Sequence, residues 1–147
     1  MKTLRLLTLI PTTLAMCLVF NQVNFAQTPV IPVIQVNNKP QTDPMVVNGM
    51  SGGTVKSNCG NITTKPSQVI QVQESLPYLR LTVESKGKTT LFIDGPGGKF
   101  CVLADSYSEN NRPELAGFWQ AGQYLLYIGD LSPEQHPYAL SISQKRN

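Results

Sequence analysis

Three residue types that can together hydrolyse an ester or an amide occur in this sequence. A serine, Ser51, lies at the centre of a Gly-x-Ser-x-Gly pattern at 49–53, and His136 is the single histidine. In serine hydrolases the serine attacks the substrate, the histidine takes its proton and a carboxylate orients the imidazole. The candidate carboxylates for such a secreted hydrolase are Asp94, Asp105 and Asp130.

The surroundings of Ser51 and His136 favour a different interpretation. A nucleophile elbow works between a strand and a helix of a large α/β sheet, whereas Pro44 closely precedes Ser51 and no helical pattern follows it. His136 lies at 133–137, a loop bracketed by prolines, where an exposed histidine is ordinary. We therefore interpret 49–53 as a Gly/Ser junction and expect no catalytic residue.

Acidic side chains at predicted strand ends and loops indicate a second chemistry, calcium binding. The candidate ligands are Asp94, Asp105 and Asp130, and the first two flank one predicted hairpin. Calcium takes about six to eight oxygen ligands, many of them carboxylates and carbonyls of such loops. The spacing matches no recognised calcium loop, so ordinary solvated acids are the alternative. Calcium is the only cofactor that the sequence suggests.

Aromatic side chains are the other candidates for binding. Sugar rings stack on exposed Trp and Tyr, whose faces are apolar while their polar tips stay hydrated. Phe118 and Trp119 are adjacent, so on a strand they point to opposite faces and only one of them can be core. Tyr107 lies in a polar loop and is expected to be exposed. Tyr107 and Trp119 are therefore the predicted ligand-binding residues.

The N-terminal residues have the pattern of a cleavable signal peptide. Lys2 and Arg5 precede an uncharged, mostly apolar run at 6–20, and a polar stretch then ends at the small residue Ala26. The run contains a proline and is short for a membrane span of about 20 residues. We predict a signal peptide at 1–26, no membrane span in the mature chain, and a secreted or periplasmic protein.

Cysteine usage agrees with export. Cys17 would leave with the signal peptide, and its lipidation is the minor alternative because the apolar run continues beyond it. The other two cysteines, Cys59 and Cys101, would meet an oxidising compartment, where one bridge is the default. We predict a disulfide between Cys59 and Cys101, which in the chain-entropy model adds about 4 kcal/mol of stability.

The charge pattern gives no indication of a nucleic-acid partner. The chain has 12 Lys+Arg and 9 Asp+Glu; removal of Lys2 and Arg5 leaves 10 against 9, a net charge of +1. Only Lys145 and Arg146 are adjacent, whereas nucleic-acid binding needs a clustered basic face. The expected partners are a polysaccharide, an envelope polymer or an exported protein.

Two segments with different patterns follow the predicted signal peptide. Residues 27–50 contain four prolines, which prevent regular ladder pairing. We interpret this segment as a Pro-rich flexible tether, part of which could lie along the domain as an edge strand. From 51 to 147, short runs rich in β-branched and aromatic residues alternate with turn signals about every 8 to 12 residues. This pattern predicts an all-β domain, an antiparallel β-sandwich of roughly seven to eight short strands with almost no helix.

The strand pattern at 75–143 resembles the bacterial pre-peptidase C-terminal domain. The shared features are a strand ending in Gly-Pro-Gly-Gly at 95–98, a Gly-x-Tyr at 122–124 and a closing Tyr-x-Leu-x-Ile strand at 138–142. The sequence is also similar to small exported bacterial proteins of unassigned function that carry a cysteine after the Gly-Pro-Gly-Gly turn. The resemblance implies a jelly-roll-like sandwich that accompanies enzymes. Some such domains bind collagen or polysaccharide, and some carry structural calcium.

The sequence therefore predicts a non-catalytic exported module that binds an envelope component, an extracellular polymer or an exported protein. No pair or triad of titratable groups stands at a spacing that a reaction would use. A small secreted hydrolase is one alternative. A small inhibitor or chaperone of a secreted protease, acting through the polar loop at 105–113, is the other.

Overall fold

The computed structural model describes residues 30–104 and 112–146. The described residues form eleven strands in two sheets and contain no helix. The strands are β1 (Val33–Val36), β2 (Met45–Met50), β3 (Val55–Ser57), β4 (Gly60–Ile62), β5 (Gln68–Val72), β6 (Leu76–Ser85), β7 (Thr89–Gly95), β8 (Gly98–Leu103), β9 (Glu114–Trp119), β10 (Gly122–Asp130) and β11 (Pro137–Ser143).

Sheet A is built around β10. This strand pairs antiparallel with β7 on one side and, on the other, with β5 and then at Asp130 with β4. Beyond these neighbours, β1 joins β5 in parallel, β3 joins β4, and β8 joins β7. Sheet B has four antiparallel strands in the order β2-β11-β6-β9. Its two edge strands are therefore β2 and β9.

The core lies between the two sheets and follows the two-residue period of the strands. On β6, Leu79, Leu81 and Val83 are inaccessible to solvent, and β7 and β10 present buried aliphatic side chains in the same way. Burying one such side chain contributes about 1.5 to 3 kcal/mol. The largest inaccessible aliphatic side chains are Ile70, Leu76, Leu79, Leu81, Leu91, Ile93, Leu126, Ile128 and Leu140.

The predicted all-β sandwich is confirmed, but the prediction of a tether at 27–50 is wrong for its described part. That segment supplies β1 and β2, and the described residues after 50 supply nine strands, β3 to β11, where seven to eight were predicted. The prolines did not prevent this because Pro32, Pro40 and Pro44 lie beside the strands and not within them. Outside a strand, the missing N–H of proline removes no ladder hydrogen bond. The alternative, an edge strand along the domain, describes both β1 and β2.

The predicted disulfide is confirmed. Cys59 Sγ and Cys101 Sγ are bonded, with 5.6 Å between the two Cα atoms, and the bridge joins the β3–β4 turn to β8. Thr90 Oγ1 also donates a hydrogen bond of 2.6 Å to the carbonyl of Cys59. A Cβ at Gly129 would lie 2.5 Å from Thr90 Oγ1, so only glycine leaves room for this contact.

Several predictions concern residues outside the described ranges. The signal peptide, Cys17, Asp105 and Tyr107 all belong to this group and remain predictions. Among the residues that the structure describes, no helix is long and apolar enough to cross a membrane.

Candidate functional site

The fold brings together Ser51, Asp130 and His136, three of the residues named for a hydrolase. Ser51 follows β2, Asp130 ends β10 and His136 precedes β11. The imidazole Nδ1 of His136 lies 2.9 Å from Asp130 Oδ2, and Ser51 Oγ donates to the same oxygen at 3.3 Å. The cluster therefore contains the residue types of a catalytic triad.

Its hydrogen bonds are not those of a triad. Ser51 Oγ bonds to the carboxylate of Asp130 and accepts from the backbone N–H of His136 at 3.1 Å, rather than contacting the imidazole. The other ring nitrogen, Nε2, lies 3.5 Å from a Glu134 carboxylate oxygen. Ser51 is also inaccessible to solvent. A nucleophile must reach both its substrate and its base, so this arrangement does not activate the serine. Its hydrogen bonds instead hold together the end of β2, the end of β10 and the start of β11.

Asp130 is the centre of that cluster. Its other carboxylate oxygen, Oδ1, accepts hydrogen bonds from Ser132 N at 2.9 Å and from Ser132 Oγ at 2.7 Å. Burial raises the pKa of Asp130, but the hydrogen bonds from Ser132 and His136 and the charge of His136 outweigh burial, and the net pKa is lowered. The side chain is thus a buried carboxylate whose charge is compensated by donors from two sides.

Of the predicted calcium ligands, Asp94 and Asp130 lie in the described part of the chain and are far apart, whereas Asp105 lies outside it. Asp94 pairs with Leu125 in the β7–β10 ladder, and Asp130 lies at the other end of it, opposite Thr89. Five residues of strand separate the two acids by about 17 Å, so they cannot share one ion. Asp94 instead forms an ion pair of 2.9 Å with Lys99. In the described part of the chain, no group of three or more His, Cys, Asp or Glu side chains is arranged to hold a metal.

The prediction that Trp119 is an exposed binding residue is corrected by its burial. Trp119 is only 4% exposed, and its Nε1 donates a hydrogen bond of 3.1 Å to the carbonyl of Leu79. Its ring packs on Tyr124 with 4.6 Å between the centroids. Phe118, on the other face of β9, is 66% exposed. One residue of the pair is thus core and the other exposed, as the alternation of a strand predicts.

An apolar groove lies where the edge of sheet A faces the edge of sheet B. The groove between β8 and β9, referred to here as the β8–β9 groove, has a volume of about 410 Å³. Phe100 and Phe118 are its accessible aromatic side chains, 45% and 66% exposed. The remaining large side chains that line it are Ile93, Leu115, Trp119 and Tyr124.

The backbone beside the groove has hydrogen-bonding groups that no described strand pairs. The backbone N–H of Val83 donates to the carbonyl of Pro113 at 3.0 Å. With the register of β6 and β9, this bond shows which residues of β9 direct their backbone groups toward β6. In an antiparallel ladder, alternate residues direct their backbone groups away from the neighbouring strand. Glu114 and Ala116 therefore point theirs outward, and no described strand pairs with this edge. The groove thus combines apolar surface with backbone donors and acceptors that point away from β6.

A second cavity, of about 350 Å³, lies between β1 and β2. Asp43 lies in its wall, where it accepts hydrogen bonds from Ser143 Oγ at 2.6 Å and from Gln144 N at 2.9 Å. Burial raises the pKa of Asp43, but these two bonds and the charges of Lys145 and Arg80 lower it, so the net pKa is lowered. These contacts hold the segment before β2 against the end of β11, and we interpret them as structural.

The sequence did not single out Phe100 and Phe118 as binding residues. A Phe on a strand is read as core by default, because most large aromatics are buried. The available signal was the Phe118–Trp119 pair, which required one exposed aromatic on β9. Phe100 gave no comparable signal, because its exposure arises from the position of β8 at the edge of sheet A.

One curated relative is similar to most of this chain. It is a Synechococcus elongatus protein, Synpcc7942_2126, described as uncharacterized, and it is 37% identical over 107 residues. The match covers 70% of this chain and 78% of the relative. No protein-family model matches the chain.

Two solved structures are similar to this chain at low sequence identity. The pre-peptidase C-terminal domain of a collagenase from Bacillus anthracis has a TM-score of 0.50 and 12% identity, over 79% of this chain and 99% of that domain. PliG, a periplasmic lysozyme inhibitor of g-type lysozyme from Salmonella Typhimurium, has a TM-score of 0.42 and 16% identity, over 77% of this chain and 97% of that one. The first similarity confirms the predicted pre-peptidase C-terminal-like fold and gives no information about activity.

Proposed function

The chain belongs to the family of the uncharacterized Synechococcus elongatus protein Synpcc7942_2126, and we propose that it is a non-catalytic exported binding module. Its ligand is an extended, apolar segment of an exported protein, and the binding site is the β8–β9 groove. The observation that carries this proposal is the pair of accessible phenylalanines, Phe100 and Phe118, beside a 410 Å³ apolar groove.

A protein segment fits the groove better than a polysaccharide does. Sugar binding combines stacking on Trp or Tyr with several polar side chains that fix the hydroxyl groups. Here the only Trp is core, the Tyr124 hydroxyl donates to the backbone carbonyl of Gln120, and Gln120 is the only other polar residue of the lining. The outward backbone groups of Glu114 and Ala116 can instead pair with an added strand, which is a common way to bind an extended peptide.

The burial and hydrogen bonding of Ser51 support a non-catalytic role. Ser51 is inaccessible and bonded to Asp130, so it lacks both substrate access and contact with a base. A fluorophosphonate probe labels serines that are accessible and activated. We expect no labelling at Ser51 in the folded protein. Labelling that disappears in Ser51→Ala would support the hydrolase alternative and overturn this part of the proposal.

Peptide binding provides the test of the groove. The purified protein is applied to an array of extended peptides, each about twelve residues long, in which apolar and polar residues alternate. Phe118→Glu places a charge in the apolar groove, so we expect it to weaken binding at least tenfold. The matched control is Leu131→Glu, because Leu131 is 54% exposed but lies in the loop after β10, outside the groove lining.

Polysaccharides form the second arm of that experiment. The same three proteins are sedimented with peptidoglycan, cellulose and chitin. The proposal predicts that retention on these polymers, if any occurs, does not depend on Phe118. Retention on a polymer that is lost in Phe118→Glu and kept in Leu131→Glu would assign the groove to a polysaccharide. If the native protein and both variants bound peptide with equal affinity, the groove would not be the binding site.

A further inference from the structure

Edge strand β2 lacks the features by which edge strands usually avoid pairing with other chains. Such features are short length, charged side chains, proline and irregular register. β2 has six residues with the sequence MVVNGM, none of them charged and none of them proline. All six are in continuous register with β11, from Met45 opposite Ile142 to Met50 opposite Pro137.

Each of the other edge strands in the described part of the chain carries such a feature. β1 has four residues and directly follows Pro32, and β3 has three residues and contains Lys56. β8 contains Lys99. β9 contains Glu114, and its pairing with β6 is irregular. Among the described edge strands, β2 is therefore the one suited to pairing along its whole length, whereas β9 offers only the short stretch at Glu114 and Ala116.

One hydrogen bond shows which backbone groups of β2 point away from β11, its only described neighbouring strand. Ser51 N donates to the carbonyl of His136 at 2.8 Å, so residue 51 faces β11. Because bonded positions alternate along an antiparallel pair, residues 49, 47 and 45 also face β11. Val46, Asn48 and Met50 therefore direct their N–H and C=O groups outward. Their side chains lie on the exposed face, where Val46 is 54% and Met50 is 50% accessible.

From this geometry we propose that the protein forms a two-fold symmetric dimer in which β2 pairs antiparallel with β2 of a second copy. With the symmetry axis at Asn48, Val46 of each copy lies opposite Met50 of the other, and Asn48 lies opposite Asn48. All outward backbone groups then find partners, in about six hydrogen bonds.

A second copy fits this edge because the edge is complementary to itself. A two-fold interface uses the same surface on both subunits, and an uncharged strand brings no like charges together. In the dimer, apolar Val46 of one copy lies beside apolar Met50 of the other. On the same exposed face, the neighbouring strand β11 contributes only small or uncharged side chains. These neighbours, paired with Met50, Asn48 and Val46, are Pro137, Ala139 and Ser141.

Sedimentation equilibrium of the purified full chain tests the dimer. We expect the mass to rise from one copy to two with increasing concentration. Asn48→Lys places two ammonium groups opposite each other and is expected to raise the dissociation constant at least tenfold. Asn48→Thr, which suits a strand, should keep the dimer. The matched control is Val55→Lys, on the edge strand β3, which should leave the dissociation constant unchanged.

Crosslinking tests the register. In the proposed pair the two Cα atoms of residue 48 lie about 5.5 Å apart, within the range of a disulfide. Asn48→Cys should therefore oxidise to a covalent dimer that a reductant reverses, and Val55→Cys should not. A protein that stays monomeric at every concentration, or a dimer that Asn48→Lys leaves intact, overturns the proposal. So does equal crosslinking of Asn48→Cys and Val55→Cys.

Discussion

Asp130 is a buried carboxylate that ties together the ends of three strands. It receives hydrogen bonds from Ser132 and His136, in the connection between β10 and β11, and from Ser51, which follows β2 and is distant along the chain. Removing an acceptor of this kind leaves several buried donors without a partner, which costs more than the net value of one bond. The residues that first suggested catalysis are thus better explained as a structural junction.

The first prediction concerns that junction. Asp130→Asn keeps the size of the side chain but removes the charge and one acceptor. We expect the free energy of unfolding to fall by about 2 kcal/mol, measured by chemical denaturation. Glu134→Gln is the control, because the Glu134 side chain is 75% exposed and makes only the long contact with His136. Equal effects of the two substitutions would show that Asp130 has no special role.

The second prediction is the pH dependence of stability. The pKa values of Asp43 and Asp130 are both lowered in the folded protein. Their stabilising contribution is therefore complete above the unfolded aspartate pKa of about 3.9 and is lost as the pH falls toward the folded values. We expect the free energy of unfolding to decline below about pH 4. The decline should be smaller in Asp130→Asn, and an unchanged slope in that variant would contradict the assignment.

Residue-level prediction from sequence worked where a local rule applied. Alternation required one of Phe118 and Trp119 to be core, and this was correct. It could not say which one, because the inward face of β9 is set by its pairing with β6, a contact between distant segments. For the same reason the sequence suggested that Asp94 could meet other acids, while the ladder places it far from Asp130.

The turn between β6 and β7 packs directly on the Asp130 junction. A Cβ at Gly87 would lie 2.3 Å from His136 Nδ1 and 2.5 Å from Asp130 Oδ2. Gly87→Ala must therefore displace the imidazole, and we expect it to lower the free energy of unfolding by about 1 to 3 kcal/mol.

Gly97→Ala is the matched control for that third prediction. It places a Cβ no closer than 3.7 Å to Phe100 and should be nearly neutral. Both variants are compared by chemical denaturation. Similar values for the two would mean that the β6–β7 turn can move away from the junction.

The fourth prediction concerns the bridge between the β3–β4 turn and β8. Replacing both Cys59 and Cys101 by serine should lower the free energy of unfolding by about 4 kcal/mol in the chain-entropy model. The measurement is chemical denaturation of the native protein with and without reductant, beside the double variant. Reductant should destabilise the native protein and have no effect on the variant. A native protein that is insensitive to reductant throughout unfolding would contradict a stabilising bridge.

Element-level prediction succeeded for strands with strong local signals. The runs that became β6, β7, β10 and β11 were identified from β-branched and aromatic residues between turns. β1 and β2 were anticipated only as the alternative of an edge strand, because the prolines of residues 27–50 dominated the local pattern. Their strand identity depends on pairing with β5 and β11, which lie far along the chain and cannot be read from residues 27–50 alone.

At the scale of the molecule, the two proposed surfaces lie at opposite edges of sheet B. β2 is one edge and β9 the other. A dimer formed through β2 joins two copies of the four-stranded sheet B into a continuous sheet of eight strands. Both β8–β9 grooves then stay accessible, one at each end of this sheet. Two linked sites can raise the apparent affinity for a repeated ligand by orders of magnitude without any new contact. A binding module that is weak as a single copy would gain most from this arrangement.

The most direct test of the central claim is site-specific photo-crosslinking in the cells that produce the protein. A photoreactive phenylalanine is placed at Phe118, in the β8–β9 groove, or at Leu131, which is similarly exposed but outside it. We predict a covalent adduct with a second protein from position 118 and none from position 131. No adduct at 118, the same adduct from both positions, or an adduct with a polysaccharide would contradict a protein-binding groove.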